Sequence, residues 1–109
     1  MVDLSVIVVS YNTRDLLRVC LESVIASVQS SASSLSYEVF VVDNASSDGS
    51  AAMVRERFPQ VRLIVNRENR GFAAANNQAL RQSQARYALL LNPDTEVRGD
   101  ALGALVRFM

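Results

Sequence analysis

The sequence predicts an α/β fold: a mainly parallel sheet of about four strands, in three layers, with helices on both faces. Three observations carry that expectation. Short apolar runs rich in β-branched residues alternate with longer stretches whose apolar residues recur at helical spacing. Polar, turn-forming residues separate the runs. Half of the 109 residues are hydrophobic, which suits one small domain with a genuine core.

The elements follow in order. Residues 4–9 are apolar except for Ser5 and read as a strand buried on both faces. Asn12 is placed to cap the next helix, and Asp15 supplies an acid in its first turn. Leu16, Leu17, Cys20, Leu21, Val24, Ile25 and Val28 give that helix one apolar stripe. The Ser-rich stretch 29–36 ends it and reads as a plain connection. Residues 37–42 form a second buried strand. Polar turn chemistry fills 43–49, where Ser47 or Asp48 can cap a short helix through Arg57, and Phe58-Pro59 stops that helix. Residues 61–65 are a third strand. An Ala-rich helix spans 72–83, and Ala73, Ala74, Ala75 and Ala79 would let it approach the sheet closely. The fourth strand covers 86–91 and breaks at Asn92-Pro93-Asp94-Thr95. Asp100 can cap a last helix running to Met109.

Right-handed crossovers place all four strand-to-helix loops at one edge of such a sheet, where open α/β folds bind ligands. Those loops hold Ser10-Tyr11-Asn12, Asp43-Asn44, residues 66–71 and Asn92-Pro93-Asp94. Tyr11 can stack on a flat ring such as a nucleobase, or pack as an ordinary loop aromatic. Asp43 can accept a hydrogen bond from uracil or thymine N3–H or from a ribose hydroxyl; an Asx turn is the competing reading. Asn69-Arg70-Gly71 opens a helix whose free N–H groups, with Arg67 and Arg70, can meet phosphate. Asn92-Pro93-Asp94 is either a generic turn or a carboxylate holding magnesium or manganese against a diphosphate.

Composition excludes other chemistries. Eleven basic and eleven acidic residues cancel, and no basic patch with interleaved aromatics marks a nucleic-acid groove. Without His, no Ser–His or Cys–His nucleophile can be built, and the single Cys20 cannot form an internal disulfide. Neither G-x-G-x-x-G nor G-K-[ST] is present. Met1-Val2-Asp3 lacks the basic start of a secretory signal, and no apolar run reaches membrane-span length, so a cytoplasmic location is expected.

Four segments together resemble the family 2 glycosyltransferases, particularly the bacterial rhamnosyltransferase-like members. They are residues 6–12, residues 41–50, Asn69-Arg70-Gly71-Phe72 with 73–77, and Leu89-Leu90-Leu91-Asn92-Pro93-Asp94. The resemblance covers nearly the whole chain. It implies a Rossmann-like GT-A fold, of which this chain is the nucleotide-sugar-binding half. It implies that Ser10 and Tyr11 border the nucleoside, that Asp43 binds the base, that Asn69, Arg70 and Gly71 line the nucleotide site, and that Asn76 supports it from the helix. Asn92 and Asp94 stand where the family commonly has an Asp-x-Asp metal motif. Asp94 keeps the last acid and is assigned to the metal, while Asn92 removes one negative charge. Family members run to roughly twice this length or more. No residue here matches the general base or the acceptor surface.

The implied reaction is inverting transfer from a dTDP- or UDP-linked sugar, dTDP-rhamnose first among them, to a glycan or lipid-linked acceptor. The full-length enzyme would work in the cytoplasm or at the inner face of the membrane. A sheet edge or apolar face left open can pair two copies as a homodimer. The rival reading is a non-catalytic nucleotide-binding or regulatory module of the same fold. A receiver-like signalling domain needs a rim Lys, and this chain has none. A nucleotidyltransferase needs a Gly-rich loop where Ser10-Tyr11-Asn12-Thr13 stands.

Overall fold

The computed structural model describes residues 2–30 and 35–109; residues 31–34 of the Ser-rich connection lie outside them. Strands and helices alternate as β1 (Val2–Ser10), α1 (Arg14–Gln29), β2 (Tyr37–Asp43), α2 (Ser50–Arg57), β3 (Arg62–Val65), α3 (Phe72–Gln82), β4 (Ala85–Leu91) and α4 (Ala101–Phe108). The strands form one sheet in the order β3-β2-β1-β4, and every pair is parallel. Progress across the sheet therefore runs one way from β1 to β3 and then reverses. With right-handed crossovers, α1 and α2 fall on one face, and α3, returning from β3 to β4, falls on the other. The point of reversal lies between β1 and β4, where sheets of this kind open a ligand crevice.

β1 is central, which explains its near-unbroken apolar run. Leu4, Val6 and Val8 face α1, α2 and α4, and pack with Val39, Val41, Leu17, Cys20, Leu21, Val24 and Leu102. Ile7 and Val9 face the other way and pack with Phe40, Val42, Ala75 and Ala79 of α3. Ser5, in the middle of this strand, is wholly buried. Its hydroxyl donates to Glu38 and shares a 2.6 Å hydrogen bond with the Ser83 hydroxyl, so a polar residue is satisfied under the end of α3.

Several local expectations need correction. Ala73 and Ala74 are exposed; only Ala75 and Ala79, one turn apart, face the sheet. Leu16 lies off the buried stripe of α1 and is exposed. β4, whose burial the sequence leaves unstated, is open on one face. It pairs only with β1, and Arg86, Ala88 and Leu90 point to a face that α3 leaves open.

Asn12 does not cap α1. Thr13 holds the cap position, without a side-chain cap bond, and Asn12 sits at φ 51° with its carboxamide turned to the neighbouring loop. Asp48, not Ser47, takes the cap role at α2, from one residue ahead of Gly49, whose φ of 84° suits glycine. Asp100 occupies the cap position of α4, but its carboxylate pairs with Arg107 at 2.7 Å instead of with the helix N–H groups.

Candidate functional site

The four strand ends share one edge of the sheet, and the ladder runs on past them. Asn44 N–H donates to Ser10 O at 2.9 Å, and Asn66 N–H donates to Asp43 O at 2.9 Å. Ser10 and Asp43 stand side by side in register. Both are buried, whereas Tyr11, the next residue along, is 51% exposed and presents its ring to solvent. The Ser10 hydroxyl pairs with Thr13 Oγ1 at 2.9 Å.

Asp43 is the most telling of these residues. It is 2% exposed. Its Oδ2 accepts the Ser46 N–H at 3.2 Å, while Oδ1 has no partner. A buried carboxylate oxygen left without a donor costs free energy unless something outside the chain supplies one. Asp43 therefore ties its loop through Oδ2, to the N–H three residues on and not the two of the expected Asx turn, and keeps Oδ1 as an open acceptor.

The β1–α1 and β2–α2 loops are locked together. Ser46 Oγ accepts the Asn12 N–H at 2.9 Å, and Asn12 Oδ1 accepts the Ser47 N–H at 2.8 Å. Asp48 ties the starts of two helices: Oδ2 accepts Arg14 N–H at 3.0 Å and Oδ1 accepts Ser50 N–H at 3.1 Å. Burial pushes the Asp48 pKa up, but the Ser50 hydroxyl and the backbone N–H groups of Arg14, Ser50 and Asp48 itself outweigh it and hold the carboxyl below its usual range.

Beyond β2 lies a cluster of amides. Asn44 Oδ1 accepts from Asn66 Nδ2 at 2.9 Å and from Arg70 N–H at 3.3 Å, and Asn44 Nδ2 donates to Gly71 O at 3.2 Å. Asn66 and Gln78 exchange two side-chain hydrogen bonds, both 2.8 Å. Asn69 Oδ1 accepts the Gly71 N–H at 2.8 Å, and Gly71 turns the chain into α3 at φ 80°. Arg70 is exposed beside an open depression of about 620 Å³ lined by Val65, Asn66, Arg67, Glu68 and Arg70. Asn76, 4% exposed, donates from Nδ2 to Phe72 O at 3.1 Å and leaves Oδ1 without a partner.

The β4 end is built differently. Asn92 and Asp94 are exposed, and Asn92 O accepts Thr95 N–H at 3.0 Å in a tight turn. The turn rests on α1, where the Cys20 thiol reaches Asn92 O at 3.9 Å. Burial, and secondarily the negative charge of Asp94, push that thiol from 9.0 up to about 11, so it stays protonated and inert.

Among the described residues no three His, Cys, Asp or Glu side chains gather as a metal cage. The donor set at this turn is one open carboxylate beside a neutral amide. That fits a magnesium or manganese ion whose remaining shell comes from phosphate and water, and does not fit an ion held by protein alone.

Every predicted site residue thus lies at or just beyond this edge, with Asn76 one turn into α3. Sequence reasoning missed Asn44, Asn66 and Gln78 as a group. The Asn residues at the strand ends were a signal, but their partner Gln78 lies in a helix and only the folded chain reveals it.

A model of glycosyl transferase family 2 matches residues 5–109. The succinoglycan biosynthesis protein ExoO of Rhizobium meliloti is 32% identical over 105 residues, 95% of this chain and 29% of that protein. The mannosyltransferase PcManGT of Pyrobaculum calidifontis, solved with GDP-Man and Mn2+, superposes with a TM-score of 0.75 at 29% identity, over 95% of this chain and 32% of that one. S. aureus TarS 1-349 in complex with UDP-GlcNAc superposes with a TM-score of 0.78 at 25% identity, over 97% of this chain and 30% of that one. The chain spans between 14% and 41% of the length of the curated relatives it matches. With a parallel sheet in the order β3-β2-β1-β4, a polar rim at its carboxyl edge and a family match over nearly its whole length, the chain belongs to glycosyl transferase family 2.

Proposed function

We propose that this chain is the donor-nucleotide-binding half of an inverting glycosyltransferase. The buried Asp43, with one carboxylate oxygen unpartnered at the end of β2, is the observation that carries the reading. That oxygen accepts the N3–H of uracil or thymine, or a ribose hydroxyl, and Tyr11 stacks on the base beside it. Ser10 borders the nucleoside. Asn69, Arg70 and Gly71 line the nucleotide, and Asn76 supports them from α3. The donor is a dTDP- or UDP-linked sugar, with dTDP-rhamnose the first choice among the rhamnosyltransferase-like members.

Asp94 is the carboxylate that would hold a divalent cation, with Asn92 beside it as a neutral neighbour. When bound, such a cation offsets charge on the departing diphosphate. In the reaction, an acceptor hydroxyl loses its proton to a base in a part of the enzyme that this chain does not supply. The acceptor oxygen then bonds to the anomeric carbon as the bond from that carbon to the diphosphate oxygen breaks, and the nucleoside diphosphate leaves. The acceptor is a glycan or lipid-linked sugar at the cytoplasmic face of the membrane. ExoO, whose name places it in succinoglycan biosynthesis, supports that class of acceptor. No helix among the described residues is long and apolar enough to cross a membrane.

Calorimetric titration of the chain with dTDP and UDP, with and without manganese, tests the reading. Binding strengthened by manganese is the expected result. A folded chain that binds neither nucleotide overturns it. The second reading, a nucleotide-binding module without catalysis, is favoured by one observation, the neutral Asn92 in place of an acid. Metal-independent binding by a longer form, with no transfer, would select it.

The open edge of β4, with Leu90 44% exposed beside it, is the surface through which two copies would pair. Light scattering at high concentration should then show a dimer that Leu90→Arg returns to monomer; a monomeric parent chain counts against pairing.

A further inference from the structure

The Asn69–Gly71 turn is held by side chains outside the nucleotide site itself. Asn44 and Asn66 are 2% and 6% exposed. Asn44 accepts the Arg70 N–H and donates to Gly71 O, so it grips both residues through their backbone. Asn44 is in turn fixed by Asn66 Nδ2, and Asn66 by the two-way amide pair with Gln78 on α3. A carboxamide pair satisfies a donor and an acceptor on each side and sets the rotation of both groups. The chain of contacts runs from a helix, through a strand end, to the turn.

We propose that Gln78, Asn66 and Asn44 are positioning residues that set the Asn69–Gly71 turn for the donor nucleotide, with Gln78 the remote end of the relay. This rests on the donor-binding reading above and extends it to three residues that touch no ligand in that reading. The physical case is geometric. The turn enters α3 through a left-handed glycine and packs no apolar side chain of its own into the core, so the amide relay fixes where Arg70 stands.

Gln78→Met keeps length and volume and removes the amide. Leu102→Ala, in the core between α1 and α4, serves as a control for general destabilisation. Two measurements are made on the 109-residue chain at a temperature where all forms are folded: UDP affinity by calorimetry and amide hydrogen exchange by NMR. The relay predicts that Gln78→Met weakens UDP binding about tenfold, the scale of one lost hydrogen bond to a positioned group. It also predicts at least tenfold faster exchange at the Arg70 amide with α1 unchanged, while Leu102→Ala moves neither the affinity nor that amide. Unchanged Arg70 exchange in Gln78→Met overturns the inference whether or not the chain binds nucleotide. Faster exchange with unchanged UDP affinity also overturns it, because the turn would then be held for no ligand. If the parent chain binds no UDP, the donor-binding reading fails and takes the ligand half of this inference with it, and the exchange result still decides whether the relay holds the turn.

Discussion

The two ends of the polar rim are built on opposite plans. At the β1–β2–β3 end the loops are tied to one another: Asn12 to Ser46 and Ser47, Asp48 to the starts of α1 and α2, and Asn44 to Asn66, Arg70 and Gly71. At the β4 end the Asn92–Asp94 turn has one backbone hydrogen bond and a long thiol contact, and its carboxylate faces solvent. The first plan suits a rigid partner such as a nucleoside, whose hydrogen-bonding edge is fixed, since preorganised groups lose little freedom on binding. The second suits an ion and a diphosphate, which complete their own shell and tolerate a looser seat. On the proposed donor-binding reading, the difference would separate recognition of the nucleotide from management of its charge.

The largest break in that comparison is expected at Asp43. Asp43→Ala should weaken UDP and dTDP binding about 100-fold, the upper range for a hydrogen bond to a charged group. Calorimetry reads this directly, and an unchanged Kd would remove Asp43 from the nucleoside site.

At the other end, Asp94→Asn should cut the manganese-dependent gain in affinity by about tenfold and leave metal-free binding as it was. A fall in metal-free binding of the same size would show that Asp94 acts without an ion.

The smallest expected effect on binding comes from Asp48. Asp48→Ala removes the acceptor for the first N–H of two helices and should cost about 1–2 kcal/mol of stability in urea unfolding. Affinity at a temperature where the chain is folded should be nearly unchanged. Because this carboxyl sits below its usual range in the folded chain, its contribution is present above the unfolded carboxylate pKa of about 3.9 and is lost as pH falls through the lowered folded value. The parent chain should therefore lose stability more steeply than Asp48→Ala below about pH 4.

The alternation of runs made the fold legible, because a central strand must be apolar on both faces and a covering helix on one. β1, β2 and α1 were readable for that reason. β4 was readable as a strand but not for its faces, since Leu89, Leu90 and Leu91 look alike in sequence although Leu90 faces the open side. The local caps were legible only in part. Asp48 caps its own helix as its composition suggests, but it also serves α1, and Asn12 bonds the neighbouring loop instead of capping α1. Capping rules see only short sequence separations, and both of these bonds span more than thirty residues.

Periodicity and motifs contiguous in the chain were enough for the class of fold, the edge at which polar residues gather and the resemblance to a glycosyltransferase family. Which of those polar atoms are already satisfied depends on tertiary contacts. Those contacts leave Asp43 Oδ1 and Asn76 Oδ1 without partners and join Gln78 to Asn66. Hydrogen-bond satisfaction depends on groups brought together from distant parts of the chain, and no local pattern encodes that meeting.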